Sequence, residues 1–175
     1  MKSQELIIIE NLIFNDEYTK KVIPFLQEEY FSDEIEKKIF SNVKEYVDKY
    51  NSPPTVNALT IMLENDKSLI GDTHDRCSDY ISSLSSSCND DMAWLVDQTE
   101  SFCKDRAIFN AINESINIFK GDSKDKKQTA IPSILSDALA VSFDTHIGHD
   151  YIDDHEERFE FYKRKEKKIP FDLDF

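Results

Sequence analysis

The stretch that most constrains the fold runs from Asn89 to Lys120 and contains neither proline nor glycine. Along it, nine residues spaced three or four apart define one stripe, and seven of the nine are apolar. The nine are Met92, Leu95, Thr99, Phe102, Arg106, Phe109, Ile112, Ile116 and Phe119. The pattern predicts one amphipathic helix, capped by Asn89 and ended by Gly121. At ~1.5 Å per residue it would be about 45 Å long, which predicts packing on something beyond its own domain.

A second helix is predicted to pair with the first. The polar segment 120–130 reads as a solvated loop, and Ile131 to Phe143 then reads as a helix with Pro132 near its first position. One side of this helix carries Ile131, Ile134, Leu135, Ala138, Leu139 and Ser142. Two helices joined by a polar loop predict an antiparallel hairpin. Two interpretations stay open at this point: both helices belong to one monomeric bundle, or the hairpin protrudes and pairs with a second copy.

The composition favours an all-α fold. Of 175 residues 39% are hydrophobic, only three are glycine, and strand-type alternation is scarce. We predict a small helical bundle over 1–88, in which Ser32 and Thr55 cap helices, a hairpin over 89–145 and a linker helix within 146–175. The serine-rich run 82–87 is predicted to be a hinge before the long helix.

Charge is distributed unevenly along the chain, whose net charge is −14. Residues 1–100 hold 9 basic and 20 acidic side chains, a balance of −11, whereas 101–175 hold 12 and 15, a balance of −3. An acidic surface repels phosphate, so we expect little direct binding of nucleic acid, and it attracts basic proteins. The alternative is that the charge serves solubility alone.

We expect a cytoplasmic protein, which means the host cell cytoplasm if the chain is phage-encoded. No signal peptide is apparent, and no run approaches the roughly 20 apolar residues that a membrane span needs. Cys77, Cys88 and Cys103 are odd in number and lack metal-binding spacing, which is typical of free thiols in a reducing compartment.

No catalytic, cofactor-binding or metal-binding residue is predicted. Gly71, Gly121 and Gly148 are isolated, and neither a phosphate loop nor a Gly-x-Ser-x-Gly elbow occurs, so this chain is not expected to hydrolyse a nucleotide. One group has metal-ligand chemistry: His146, His149, Asp150, Asp153, Asp154 and His155. A metal-dependent hydrolase built on it is the remote alternative. We interpret its members as a helix cap, dipole-complementing carboxylates and surface histidines, since no second motif completes a site.

Two further aromatic features bear on packing. Trp94 is predicted to pack the root of the long helix onto the bundle rather than to stack on a ligand, because no basic residues surround it. A helix over Asp150–Lys168 carries a narrow apolar strip that needs a partner surface, which makes it a candidate docking element. The strip is Ile152, His155, Phe159 and Tyr162.

Several short runs, taken in order, resemble one family. They are the opening run 11–26, Glu29–Phe31, Pro54–Leu59 with Leu63–Asn65, Trp94–Val96 with Thr99-Glu100, Arg106-Ala107, Phe109–Ala111, Ala130–Pro132, Ser142–Asp144, Gly148–Asp150 and Lys168–Phe171. None is a catalytic motif, and their order and spacing carry the match. Across essentially its whole length the chain resembles the N-terminal part of DnaB-family hexameric replicative helicases of the T-even-phage type.

The resemblance implies a helical bundle with a hairpin, and hairpins that pair between subunits so that dimers form a collar on a six-membered ring. It implies a linker helix that docks on a neighbouring motor domain, and a RecA-like motor that moves 5′ to 3′ on single-stranded DNA. It makes primase a partner and a helicase loader a further candidate partner. ATP and magnesium are expected only in the motor domain, which is absent here. Carried over, Asn89–Phe143 is the hairpin and Asp150–Lys168 the linker helix.

We therefore expect a collar and linker whose subunit interface uses the apolar seam of the hairpin. The candidate interface residues are Phe109, Ile112, Ile116, Phe119, Ile134, Leu135 and Leu139. The acidic residues of 1–100 are the expected contact surface for primase. The alternative is a stand-alone acidic helical adaptor that binds a basic partner.

Overall fold

The structure, a computed structural model, describes residues 3–66, 72–86, 91–122 and 126–143. These ranges contain helices and no strand, which confirms the all-α prediction. The α-helices are α1 (Gln4–Phe14), α2 (Asp16–Val22), α3 (Glu34–Tyr50), α4 (Val56–Asn65), α5 (Asp72–Ser83), α6 (Met92–Lys120) and α7 (Ile131–Leu139). Short 3-10 turns lie at Glu28–Tyr30 and Gln128–Ala130. Within the described ranges, no helix is long and apolar enough to cross a membrane.

Local capping chemistry sets most helix ends. Thr55 caps α4 through its side chain, as predicted, by accepting from the Ala58 N–H at 3.2 Å. Asn51 ends α3 in the left-handed conformation at φ 52°, and Gly121 ends α6 at φ 83°.

The caps of two helices differ from the prediction. Asp91 rather than Asn89 caps α6, since its carboxylate accepts from the Trp94 N–H at 3.0 Å and the helix begins at Met92. Asp33 rather than Ser32 caps α3, since its carboxylate takes the Ile35 N–H at 2.7 Å. Both observed caps are aspartates that follow the predicted cap by one or two residues.

The core takes buried side chains from α1 to α5, from α6 as far as Ala111 and from α7 at Ala138. Phe31 lies at its centre, with ring centroids 4.9 Å from Phe40 and 6.0 Å from Phe102. The buried Tyr18 hydroxyl is 2.6 Å from the Thr99 hydroxyl and ties α2 to α6. The first three turns of α6, which follow the serine-rich segment in the chain, therefore pack against the bundle.

The second hairpin helix is shorter than predicted. α7 begins at Ile131 with Pro132 in its first turn, as predicted, but it ends at Leu139 rather than Phe143. Residues 141–143 leave the helix because they bind the bundle instead. The Phe143 ring stacks on Phe25 at 4.5 Å, and the Phe143 N–H donates to the Glu100 carboxylate at 3.3 Å.

Chain contacts group the residues up to Phe143 into one compact unit. All the described residues belong to this unit. The division into bundle, hairpin and linker stays a prediction.

Candidate subunit-pairing surface

Four large apolar side chains of α6 point into solvent. Phe109, Ile112, Ile116 and Phe119 are 55%, 46%, 43% and 74% exposed. Their spacing of three, four and three residues places them on one face of the helix. We call these four residues the outer stripe. An exposed apolar row of this length on one helix face is typical of a protein-binding surface.

The outer stripe lies on the side of α6 that faces away from α7. At about 100° per residue, its members point opposite to the buried Ala107 and Ala111. Those two alanines line a cleft together with Ile134 and Ala138 of α7. The hairpin is thus closed through one face of α6, and the outer stripe is left unused by the described part of the chain.

The predicted single seam divides into two surfaces. Leu95, Thr99 and Phe102, from its first half, are buried in the bundle, whereas the four members of the outer stripe are exposed. A strict three–four spacing drifts by about 20° per heptad around a straight helix, so one apolar row turns from one neighbour to another along α6.

The predicted interface residues on α7 are in different environments. Ile134 and Leu135 are half-buried against the core, while Leu139 is 71% exposed. Two of the seven predicted interface residues, Ile134 and Leu135, are therefore already partly buried within the single chain. The assignment of the interface stays a prediction.

Two polar side chains of α6 fix the helix to the bundle. The Arg106 guanidinium donates to the Tyr30 carbonyl at 2.6 Å and to the Ser32 hydroxyl, and it lies 3.9 Å from the Glu5 carboxylate. One turn later, the Asn110 amide donates to the Glu29 carbonyl at 2.8 Å. We call Arg106 and Asn110 the helix clamp. It joins three of the runs that carry the family resemblance, at 29–31, 106–107 and 109–111.

The helix clamp adjoins the outer stripe. The Arg106 guanidinium carbon lies 5.5 Å from the centroid of the Phe109 ring, within the range of a cation–π contact. Sequence reasoning had placed Arg106 in the apolar seam and missed the clamp. The signal was present, because an arginine at an otherwise apolar stripe position needs hydrogen-bond acceptors when it is buried.

A buried carboxylate lies beside the clamp. Glu36 is 7% exposed and accepts a hydrogen bond from the Tyr80 hydroxyl at 2.9 Å. Burial raises the pKa of Glu36, the Tyr80 hydrogen bond opposes the rise, and the nearby Glu5 adds to it. Burial and the adjacent Glu36 charge raise the pKa of Tyr80 far above its ordinary value, so this phenol stays protonated.

Trp94 is not a core residue, contrary to the prediction. It is 50% exposed and borders a small cavity of about 70 Å³ together with Ile7 and Ile8 of α1. Its backbone N–H is taken by the Asp91 cap, so Trp94 lies in the first turn of α6, at the N-terminal end of that helix. Leu95, the next residue, takes the core position.

Cys77 and Cys103 are free thiols, as predicted, and both are buried. Burial raises the pKa of Cys103 to about 12. Across the described ranges, no group of three or more His, Cys, Asp or Glu residues could hold a metal ion. Cys88, the His146–His155 group and the docking strip of Ile152, His155, Phe159 and Tyr162 lie outside the described residues.

An all-α unit that leaves an apolar stripe on the outer face of its longest helix has the features of a protein-interaction module. No family profile matches the chain. The chain is 38% identical to the DnaB-like replicative helicase of Enterobacteria phage T4 over 175 aligned residues. This match takes in 95% of the chain and 36% of that helicase, so the chain spans about a third of its relative. The resemblance to the DnaB-like replicative helicases is confirmed.

Proposed function

We propose that this chain is the non-catalytic collar and linker part of a replicative DNA helicase, in which it pairs copies of the protein and recruits primase. The similarity to a DnaB-like replicative helicase supports the replication context. In this proposal the parent protein is a hexameric, ATP-driven 5′–3′ DNA helicase, and ATP and magnesium act in a separate motor domain. The described residues contribute structure and contacts to that assembly.

The outer stripe is the observation that carries the pairing proposal. Its four side chains leave the equivalent of about two whole apolar side chains in water. At about 1.5–3 kcal/mol for each fully buried side chain, covering them yields roughly 4 kcal/mol per copy and roughly 8 kcal/mol per symmetric pair. Association itself costs about 4–15 kcal/mol. The outer stripe alone therefore supports a weak pair, and further ring contacts would be needed for a tight one.

The test of pairing is the mass of the 175-residue chain in solution, measured by light scattering from micromolar to near-millimolar concentration. We expect a monomer at the low end and a rising share of dimers or higher assemblies at the high end. A strict monomer throughout would refute pairing through the outer stripe and favour the stand-alone adaptor.

Primase recruitment is proposed for the acidic surface of residues 1–100. The balance of −11 over residues 1–100 supports it, since such a surface attracts a basic protein and is screened by salt. We expect the affinity for primase to fall steadily between about 50 and 300 mM salt. An affinity that does not change with salt would show that charge attraction is not the main source of binding.

A further inference from the structure

A cleft of about 300 Å³ lies between α6, α7 and the 3-10 turn at Glu28–Tyr30. Its apolar wall combines three small side chains, Ala107 and Ala111 from α6 and Ala138 from α7, with the larger Ile134 and Val141. The buried Tyr30 adds an aromatic side chain to this wall. Because alanine reaches only to Cβ, the two helices pack while leaving space between them. The volume is at the lower end of the ~300–1,000 Å³ range of ligand sites, which fits one inserted side chain.

The cleft is lined by more negative than positive charge. The carboxylates are Glu29, Glu114 and Asp137, and the cation is Lys126. Lys126 is ion-paired to Glu114, so these two neutralise each other. Within the described part of the chain, Glu29 and Asp137 have no ion-pair partner, and both residues are exposed.

We infer that this cleft receives an arginine side chain presented by a partner protein. The aliphatic stem would lie along the alanine wall, and the guanidinium would be held by the carboxylates of Glu29 and Asp137. Arginine fits better than lysine because its planar guanidinium presents several N–H donors and can bind two carboxylates at once. This inference deepens the partner-recruiting half of the proposed function and does not depend on pairing through the outer stripe.

Two arguments favour a separate partner as the source of this arginine. The outer stripe and the cleft lie on opposite faces of α6, so copies that pair through the stripe leave the cleft open. A purely apolar side chain would strip water from Glu29 and Asp137 without replacing their hydrogen bonds, which is costly. An arginine replaces those bonds and brings the opposite charge.

The test uses N-acetylarginine methylamide as a probe and N-acetylcitrulline methylamide as its neutral isostere. Binding to the 175-residue chain is followed by amide chemical shifts at Tyr30, Asn110 and Ala138. We expect saturable shifts with the arginine probe at millimolar concentration and at least fivefold weaker binding of the citrulline probe. Equal binding of both probes, or shifts that never saturate, would overturn the inference.

A double variant tests the two carboxylates. We expect Glu29→Gln with Asp137→Asn to weaken arginine binding at least tenfold. The matched control is Glu28→Gln with Asp48→Asn, which removes the same charge from exposed residues that do not line the cleft. It should leave the affinity within twofold, and an equal loss in both double variants would mean that only the overall charge matters.

The same two double variants connect the cleft to a protein partner. We expect the cleft variant to lose at least fivefold in affinity for primase relative to the control. Light scattering on the same samples reads self-association separately. If the cleft variant dissociates an assembly that the control retains, the occupant is a second copy and the inference is wrong. If the wild type itself does not assemble, pairing through the outer stripe is refuted, and the arginine-binding result is unaffected.

Discussion

Replacing Ile116 with aspartate separates assembly from folding. Ile116 is 43% exposed in the middle of the outer stripe, so much of its side chain already meets water in the single chain. Losing the buried part of one isoleucine and placing an aspartate near a helix C-terminus should cost about 1–2 kcal/mol of monomer stability. The fold, which is held by the core of α1, α2 and α3, should persist.

The cost to pairing is larger. In a two-fold pair the substitution buries two carboxylates, and an unpaired buried charge costs several kcal/mol. This penalty exceeds the net free energy of pairing, which is the few kcal/mol that remain once the cost of association is subtracted from the burial of the outer stripe. Self-association should therefore weaken by more than a thousandfold, beyond the range of the light-scattering measurement.

The matched control is Asn113→Asp, which adds the same charge to an exposed residue of α6 outside the outer stripe. Sedimentation or light scattering of both variants, with circular dichroism to verify folding, completes the experiment. If Ile116→Asp assembles like the wild type, the outer stripe is not the interface. If Asn113→Asp dissociates equally, charge on the helix rather than the stripe explains the loss.

Three further predictions concern the buried polar groups. Arg106→Met should lower the free energy of unfolding by about 2–3 kcal/mol, since it leaves backbone and hydroxyl acceptors without a donor. The control Lys104→Met removes an exposed ion pair and should cost at most about 1 kcal/mol. Chemical denaturation of both variants measures the two losses, and equal losses would refute the clamp. Because the folded-state pKa of Glu36 is raised, the native protein holds the proton more tightly than the unfolded chain, and stability falls as pH rises from about 4.5 through that raised value. Glu36→Gln should flatten this fall and Glu45→Gln should not, as measured by urea unfolding at several pH values; a fall of the same depth in Glu36→Gln would contradict the assignment. The Cys103 thiol should resist alkylation at pH 8 in the folded protein, as read by peptide mass spectrometry, since its pKa of about 12 leaves almost no thiolate; labelling at the rate of the unfolded chain would contradict its burial.

The helix ends were predictable where one local residue decides them. Gly121 ends α6 because a left-handed residue costs glycine little, and Thr55 caps α4 with its own hydroxyl. The start of α6 was displaced because Asn89 and Asp91 have similar capping chemistry. Sequence alone does not rank two such neighbours, since the packing of the first turn decides between them.

The division of the apolar seam could not be read from spacing alone. A three–four pattern predicts which residues share a face but not which neighbour covers that face at each level. Phe102 and Phe109 have the same chemistry and lie seven residues apart, yet one is 7% and the other 55% exposed. The difference comes from where the bundle ends along α6, which is a tertiary property.

The cleft was also beyond sequence reasoning. Ala107, Ala111 and Ala138 read as ordinary helix formers, and only their meeting across two helices makes a space. Asp137 and Glu29 are more than a hundred positions apart. Charge totals predicted an acidic surface, but no pattern in the chain placed these two carboxylates around one opening.

The helix clamp has a consequence for geometry. A single hydrogen bond fixes a position and still allows a helix to pivot about it, whereas the bonds of Arg106 and Asn110, one turn apart, also fix the direction of α6. Phe119 lies 13 residues beyond Arg106, about 20 Å along the axis, so a tilt of a few degrees at the clamp moves the tip by an ångström or more. In an assembly of repeated copies such a tilt recurs at every copy. In the proposed ring, the closure of successive copies would then depend on the direction that these two side chains give α6.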